Sequence, residues 1–275
     1  SIVADAIREH YLPVGSGDLL PISSVSISIA LAEKIDMLVS FWTINEKPTG
    51  SKDPFALRRS ANGIIRIIIE SQIEVPIRQI INKSQDILSD EIDINCNDIC
   101  ADLIDFLLDR LRTYMREYDI GKEVIDATIN AQEVDDLYLL SEKIKLLNNF
   151  IKSIEGIDFV KAIKRVHNIL QAEERKNDYS ASDSIINESF FEFNEEKELY
   201  NVLTKLSHID ISVYKKGDKK IYEDLLLAFT KPINNFFDSV IVNVDKKETK
   251  DNRLKLLAGI RSFTQKIADF SVIDF

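Results

Sequence analysis

Apolar side chains recur along this chain at three- and four-residue spacing far more often than in alternation, which is the period of amphipathic helices rather than strands. Ala4 to Tyr11 reads as the end of a helix, stopped by Pro13 and the Gly15 and Gly17 loop, and Ser24 to Trp42 as a long apolar helix. Thr43 to Asp53 is a loop containing Pro and Gly. Asp53 then suits an N-cap, with Pro54 at the first helical position of a helix continuing from Phe55 to Glu70. Pro76 opens another. Helical patterning returns over Asn97 to Glu117, Glu133 to Lys152 and Asp158 to Ala172, then over Glu188 to Leu206, Lys219 to Thr230 and Lys250 to Asp269. Glu173 to Ser184, rich in charge and Ser, is expected to be a mobile loop. The predicted fold class is all-α.

The 275 residues suffice for one large or two ordinary domains, and 8 Gly with 6 Pro agree with a helix-rich chain. No apolar run approaches the roughly 20 residues of a membrane helix, and Ser1 to His10 lacks a secretory pattern, so a cytoplasmic protein without a membrane partner is expected. The start at Ser1, without Met and within a helical pattern, suggests further sequence upstream. Cys96 and Cys100 with 3 His supply no zinc-ligand spacing and are expected to be reduced thiols.

A net charge of −11 argues against a protein coated with basic surface, and no DNA partner is expected. The charge is nevertheless uneven. Asp86 to Asp109 carries eight acidic residues and no basic one, whereas Lys246 to Lys266 carries seven basic residues against Glu248 and Asp251. The helix from Asp158 gives the clearest local signal. At about 100° per residue, Phe159, Ala162, Ile163, Val166, Ile169 and Leu170 fall on one side and Lys161, Lys164, Arg165 and Asn168 on the other. This outer face suits RNA contact, and a merely solvated face would look the same. On the last helix Leu257, Ile260, Phe263, Ile267 and Phe270 form the apolar stripe and Arg253 lies at its edge, as a structural ion-pair residue would. Lys255, Arg261 and Lys266, with Lys250, project elsewhere as candidates for phosphate contact. Phe236 and Phe237 suit either the core or base stacking, and their apolar surroundings favour the core. His167 and His208 read as surface or helix-edge residues. No Gly-rich phosphate loop and no zinc-ligand set is present, so no catalytic residue, metal site or cofactor is assigned within the chain.

The string PTGSKDPFALRR from Pro48 to Arg59 places Lys52, Arg58 and Arg59 around a turn and a helix start, where they serve either phosphate or interdomain contact or the loop's own structure. Together with AIREHYLP at Ala6 to Pro13 and ALAEKIDMLVSFW at Ala30 to Trp42, it resembles the β subunits of bacterial glycyl-tRNA synthetases. The resemblance extends through FVKAIKRVHNIL at Phe159 to Leu170, NNFFDSVIVNV at Asn234 to Val244, NRLKLL and IADFSVI, and is diffuse from about Ser71 to Ser153. It implies the end of an HD-like helical domain over 1–70, a linking helical region over 71–153 and a DALR-type anticodon-binding bundle over 154–275. The implied function is to bind and orient tRNA(Gly) for a separate α subunit that carries the ATP and Mg, in an α2β2 holoenzyme, without catalysis by this fragment alone. His10 and Asp36 resemble the late metal-ligand positions of HD hydrolases, but the upstream ligands are not in this chain. The rival readings are an HD-type phosphohydrolase remnant and a helical protein-interaction scaffold built on the acidic Asp86 to Asp109 face.

Overall fold

A computed structural model describes residues 1–91, 99–131, 135–176, 185–209 and 219–274. Among these there are eleven α-helices and no strand, so the all-α expectation holds. The helices are α1 (Ile2–Glu9), α2 (Ser24–Thr43), α3 (Leu57–Glu70), α4 (Ile77–Glu91), α5 (Cys100–Arg116), α6 (Lys122–Ile129), α7 (Leu137–Ile151), α8 (Ile154–Glu174), α9 (Asn194–Ser207), α10 (Lys219–Ser239) and α11 (Lys247–Gln265). Cys96 and much of the expected Glu173 to Ser184 loop lie outside the described residues; Cys100 is a buried free thiol.

Two compact units result, one of Ser1–Lys122 with Val134–Glu142, the other of Glu123–Glu133 with Lys143–Phe275. The segment 71–153 is therefore shared between them instead of forming a body of its own.

In the first unit α2 is the hub, packing against α1, α3, α4 and α5. Ala30, Ile35, Leu38 and Val39 of α2 and Ile64, Ile65 and Ile68 of α3 are all buried where these two helices pack. Ser23 caps α2 by accepting from the Ser26 amide at 3.0 Å. Lys34 is buried here too, and its ammonium donates to the Tyr11 carbonyl at 3.1 Å beside the Glu33 carboxylate at 3.5 Å. Gly63 makes room for the lysine stem, because a Cβ at that position would lie 2.7 Å from Lys34 Cε. The sequence places the α3 boundary differently. Helix α3 begins at Leu57, not at Phe55, because Ala56 adopts a left-handed conformation with φ of 56°. Asp53 still acts as the cap, across the turn, by accepting from the amides of Leu57 at 2.8 Å and Arg58 at 3.0 Å. Asp136 does similar work twice, accepting from Val75 N before α4 and from Leu139 N in the first turn of α7. Burial raises its carboxyl pKa.

The second unit packs α8 on α10 and α11, with α9 against α10 and α11. Phe159, Ile163, Val166 and Leu170 of α8 join Leu226, Phe229, Ile233 and Phe236 of α10 and Leu257 and Ile260 of α11 in the core. Two boundaries differ from the sequence pattern. Pro232 does not end α10 near Thr230; the helix runs to Ser239 because Phe229, Ile233 and Phe236 keep one buried stripe in phase across it. The expected helix from Glu188 is a 3-10 turn over Glu188–Phe190 followed by α9 from Asn194.

Arg253 joins these parts. It is fully buried, and its Nε donates to Glu196 Oε1 at 2.8 Å, its Nη2 to Glu192 Oε2 at 3.0 Å and its Nη1 to the Ile241 carbonyl at 3.0 Å. Glu196, also fully buried, uses its second oxygen to accept from the amides of Glu192 and Phe193 before α9. The edge position of Arg253 in the sequence pattern thus corresponds to a structural ion pair. Removing one partner strands a buried charge, so Arg253→Met is expected to destabilise the second unit by about 3–5 kcal/mol, and the Arg253→Met/Glu196→Leu double variant by less than the sum of the single changes. Chemical denaturation of the four proteins measures both quantities.

Helix α8 starts at a close approach. Ser153 accepts from Gly156 N at 2.9 Å, and a Cβ on Gly156 would lie 1.9 Å from the Phe150 carbonyl oxygen. Helix propensity alone favours Ala over Gly by about 1 kcal/mol, but this overlap outweighs it. Gly156→Ala is expected to lower stability by about 1–3 kcal/mol, visible as a reduced melting temperature.

Candidate nucleic-acid interface

The four polar α8 residues singled out by spacing come together. Lys161, Lys164, Arg165 and Asn168 line one groove of about 470 Å3, joined by Lys176 and by Asn243 from the segment after α10. The opposite face of α8 is apolar and buried, which fixes the helix's rotation and turns these four outward. Ile169 is the exception, since it is only half-buried and lines the groove.

Their states differ. Lys161 and Asn168 are exposed and have no hydrogen-bond or ion-pair partner among the described residues. Lys164 donates to Asp274 Oδ1 at 2.6 Å, but Asp274 is 86% exposed, so this pair is weak and exchangeable. The Arg165 guanidinium lies 4.3 Å from the centre of the Phe237 ring. Phe236 and Phe237 are buried, as their apolar surroundings suggested, and the Phe237 ring also supports the Arg165 guanidinium by a cation–π contact. Glu173 at the groove's end is ion-paired with Lys176 at 2.8 Å and Lys250 at 2.6 Å. The bond from Lys176, then that from Lys250, holds its carboxyl below the ordinary value. Lys250 is thereby committed to the fold.

Lys255, Arg261 and Lys266 lie elsewhere. They line a second concavity of about 500 Å3 at α9 and α11, with Tyr200, Thr204, Ser207, Ser262 and Gln265. Arg261 is ion-paired with Glu174 at 2.6 Å, whereas Lys255 and Lys266 have no such partner among the described residues. The seven predicted positions thus form two groups, not one surface. Asn243, Lys176 and Tyr200 were missed by sequence reasoning; Asn243 carried a signal as part of the NNFFDSVIVNV string, and Lys176 because it continues the Arg165 face at about 100° per residue just past the end of α8. His208 is exposed at the C-terminal end of α9, as expected. His167 is half-buried rather than superficial, and burial lowers its pKa.

In the first unit Arg58 and Arg59 share a cavity of about 690 Å3, which Lys52 does not line. Lys52 is exposed, and its backbone pairs with Thr49 across the turn. His10 and Asp36 engage different neighbours: His10 Nδ1 lies 2.6 Å from the Ile7 carbonyl, and the Asp36 carboxylate accepts from Ser84 Oγ at 3.5 Å. Among the described residues no group of three or more His, Cys, Asp or Glu side chains is placed to hold a metal ion. Within the acidic Asp86 to Asp109 stretch, Asp102 has an internal role. It accepts from Trp42 Nε1 at 2.6 Å and pairs with Lys47 at 2.7 Å, and the Lys47 bond holds its carboxyl below the ordinary range. No described helix is long and apolar enough to cross a membrane.

Residues 160–269, which make up most of the all-helical second unit, match the model of the DALR anticodon binding domain. Residues 1–130 match that of the glycyl-tRNA synthetase β subunit. The chain is 36% identical over 274 residues to the glycine–tRNA ligase β subunit of Paracoccus denitrificans. It is 37% identical over 272 residues to that of Rhodospirillum centenum and 35% to that of a Ruegeria species. Each comparison covers 99% of this chain and 38% of the relative's length. The chain belongs to the glycyl-tRNA synthetase β-subunit family.

The Glu173 pairs give the groove a pH dependence. A carboxyl whose folded pKa is depressed contributes stability above its unfolded value of about 4.5 and loses it as the pH falls through the folded value. Glu173→Gln is therefore expected to flatten the acid limb of the stability profile below about pH 4.5, measured by melting temperature against pH.

Proposed function

We propose that the second unit binds the anticodon arm of tRNA(Gly) through the outer face of α8, and that the whole β subunit orients this tRNA for aminoacylation by a separate α subunit. The observation that carries the reading is the groove itself. Two lysines, a ring-supported arginine and an amide converge with Asn243 in one concavity of an otherwise acidic protein. Lysines serve as point charges for phosphate, whereas Arg165 and Asn168 also suit the edges and faces of splayed bases. Lys255, Arg261 and Lys266 supply a second strip of phosphate contacts. In this reading ATP, Mg and glycine belong to the α subunit, the assembly is α2β2, and it works in the cytoplasm on RNA and not DNA.

A local positive groove in a chain of net charge −11 gives modest, salt-sensitive affinity. With the full-length β subunit and its α partner, Lys161→Ala is expected to weaken cognate and non-cognate tRNA alike and to reduce the salt-dependence slope by about one unit. Arg165→Ala and Asn168→Ala are expected to cost more cognate than non-cognate affinity. Filter binding over a salt series measures both effects. Unchanged affinity and slope in a folded Lys161/Lys164/Arg165 triple Ala variant would exclude α8 from the RNA surface.

A further inference from the structure

The 690 Å3 cavity of the first unit lies within the usual size range for small-molecule sites. Its charges are unequally engaged. Asp53 is occupied by the Leu57 and Arg58 amides, and Glu70 forms a two-point pair with Arg66. Arg66 also donates to the carbonyls of Gly15 at 2.9 Å and Asp18 at 3.1 Å, so that side chain belongs to the wall. Arg58 has one donor on the Gly50 carbonyl at 2.8 Å and retains the rest. Arg59 and the Asn62 amide are exposed and have no partner among the described residues. Against these donors stands one carboxylate without a partner, Glu117. Beyond the pairs made within the wall, Arg58, Arg59 and Asn62 keep donors to spare, and Glu117 is the one unengaged lining carboxylate among the described residues.

Its other side is aromatic. Tyr114 and Tyr118 line the same cavity with ring centres 5.2 Å apart and hydroxyls 2.7 Å apart, and Tyr118 is 52% exposed. The backbone is held unusually at this point as well, since Ala56 in the cavity wall adopts a positive φ, a conformation that costs a non-glycine residue about 1–2 kcal/mol. That conformation sets where α3 begins and so where Arg58 and Arg59 leave it.

We propose that this cavity binds a phosphate ester of single-nucleotide size, its phosphate on Arg58, Arg59 and Asn62 and its base against Tyr118. Guanidinium groups match phosphate in a two-point geometry, and an exposed tyrosine ring accepts any base by stacking. The ligand is either a free nucleotide or one nucleotide of a bound RNA strand. The site uses no residue of the second unit, so it stands or falls apart from the tRNA reading of α8.

Equilibrium dialysis of the full-length β chain with AMP, GMP and inorganic phosphate tests the proposal. Saturable binding of AMP or GMP is expected, weakened at least tenfold by Arg59→Ala and strengthened by Glu117→Gln. Tyr118→Ala is expected to weaken the nucleotides and leave inorganic phosphate unaffected, which separates base stacking from simple anion binding. Should the nucleotide belong to RNA, tRNA(Gly) displaces AMP and Arg59→Ala lowers tRNA affinity too; should it be free, tRNA leaves AMP binding intact. Absence of saturable AMP and GMP binding at millimolar concentration overturns the proposal. So does binding that Arg59→Ala leaves unchanged while circular dichroism shows the variant folded.

Discussion

The second unit depends on a buried ion pair between residues 57 positions apart, Arg253 on α11 and Glu196 in the first turn of α9. Taking two charges out of water costs several kcal/mol for each ion and is repaid only when the remaining donors and acceptors are satisfied. Here they are. The guanidinium reaches Glu196, Glu192 and the Ile241 carbonyl, and the second Glu196 oxygen takes the two amides before α9. One arginine therefore fixes the start of α9, the connection after α10 and the rotation of α11. Those constraints reach the groove directly, because Asn243 follows Ile241 by two residues and α8 packs on both α10 and α11. An apolar core alone would tolerate small rotations of α11; a geometrically specified ion pair does not.

The groove on α8 is basic only in relation to its surroundings. Lys164 is held by Asp274, an exposed carboxylate that a phosphate oxygen can replace at little cost. Glu173 is different, since it is almost fully covered and shared by two lysines, and its charge is part of the fold. The groove thus combines an exchangeable pair at its edge with a fixed cluster at its end. Such an arrangement holds Lys164 in place without ligand and leaves its charge available when an anion arrives.

Much of this was legible in the sequence where one helix carries the whole pattern. The α8 stripe fixed which residues face outward because burial of Phe159, Ile163 and Val166 leaves no other rotation. Arg253 was recognisable as an ion-pair residue, but its partner was not, since nothing local points from α11 to Glu196. Tertiary context overrode local signals at Pro232, where in-phase apolar residues carry α10 through a proline, and at Ala56, whose left-handed conformation delays α3 although Asp53 and Pro54 form a good helix start. Helix α6, only eight residues long, gave too little periodicity to be noticed. Tyr200 comes to its concavity from α9, a separate segment, and only the fold brings it beside α11.

Lysine footprinting asks whether the outer face of α8 meets RNA. Full-length β subunit with its α partner is acetylated under limiting conditions with and without tRNA(Gly), and modification is read at each lysine by mass spectrometry. Bound tRNA is expected to protect Lys161 and Lys164 and to leave Lys52 as reactive as before. Equal modification of Lys161 and Lys164 with and without saturating tRNA, while other lysines become protected, would place the RNA surface elsewhere.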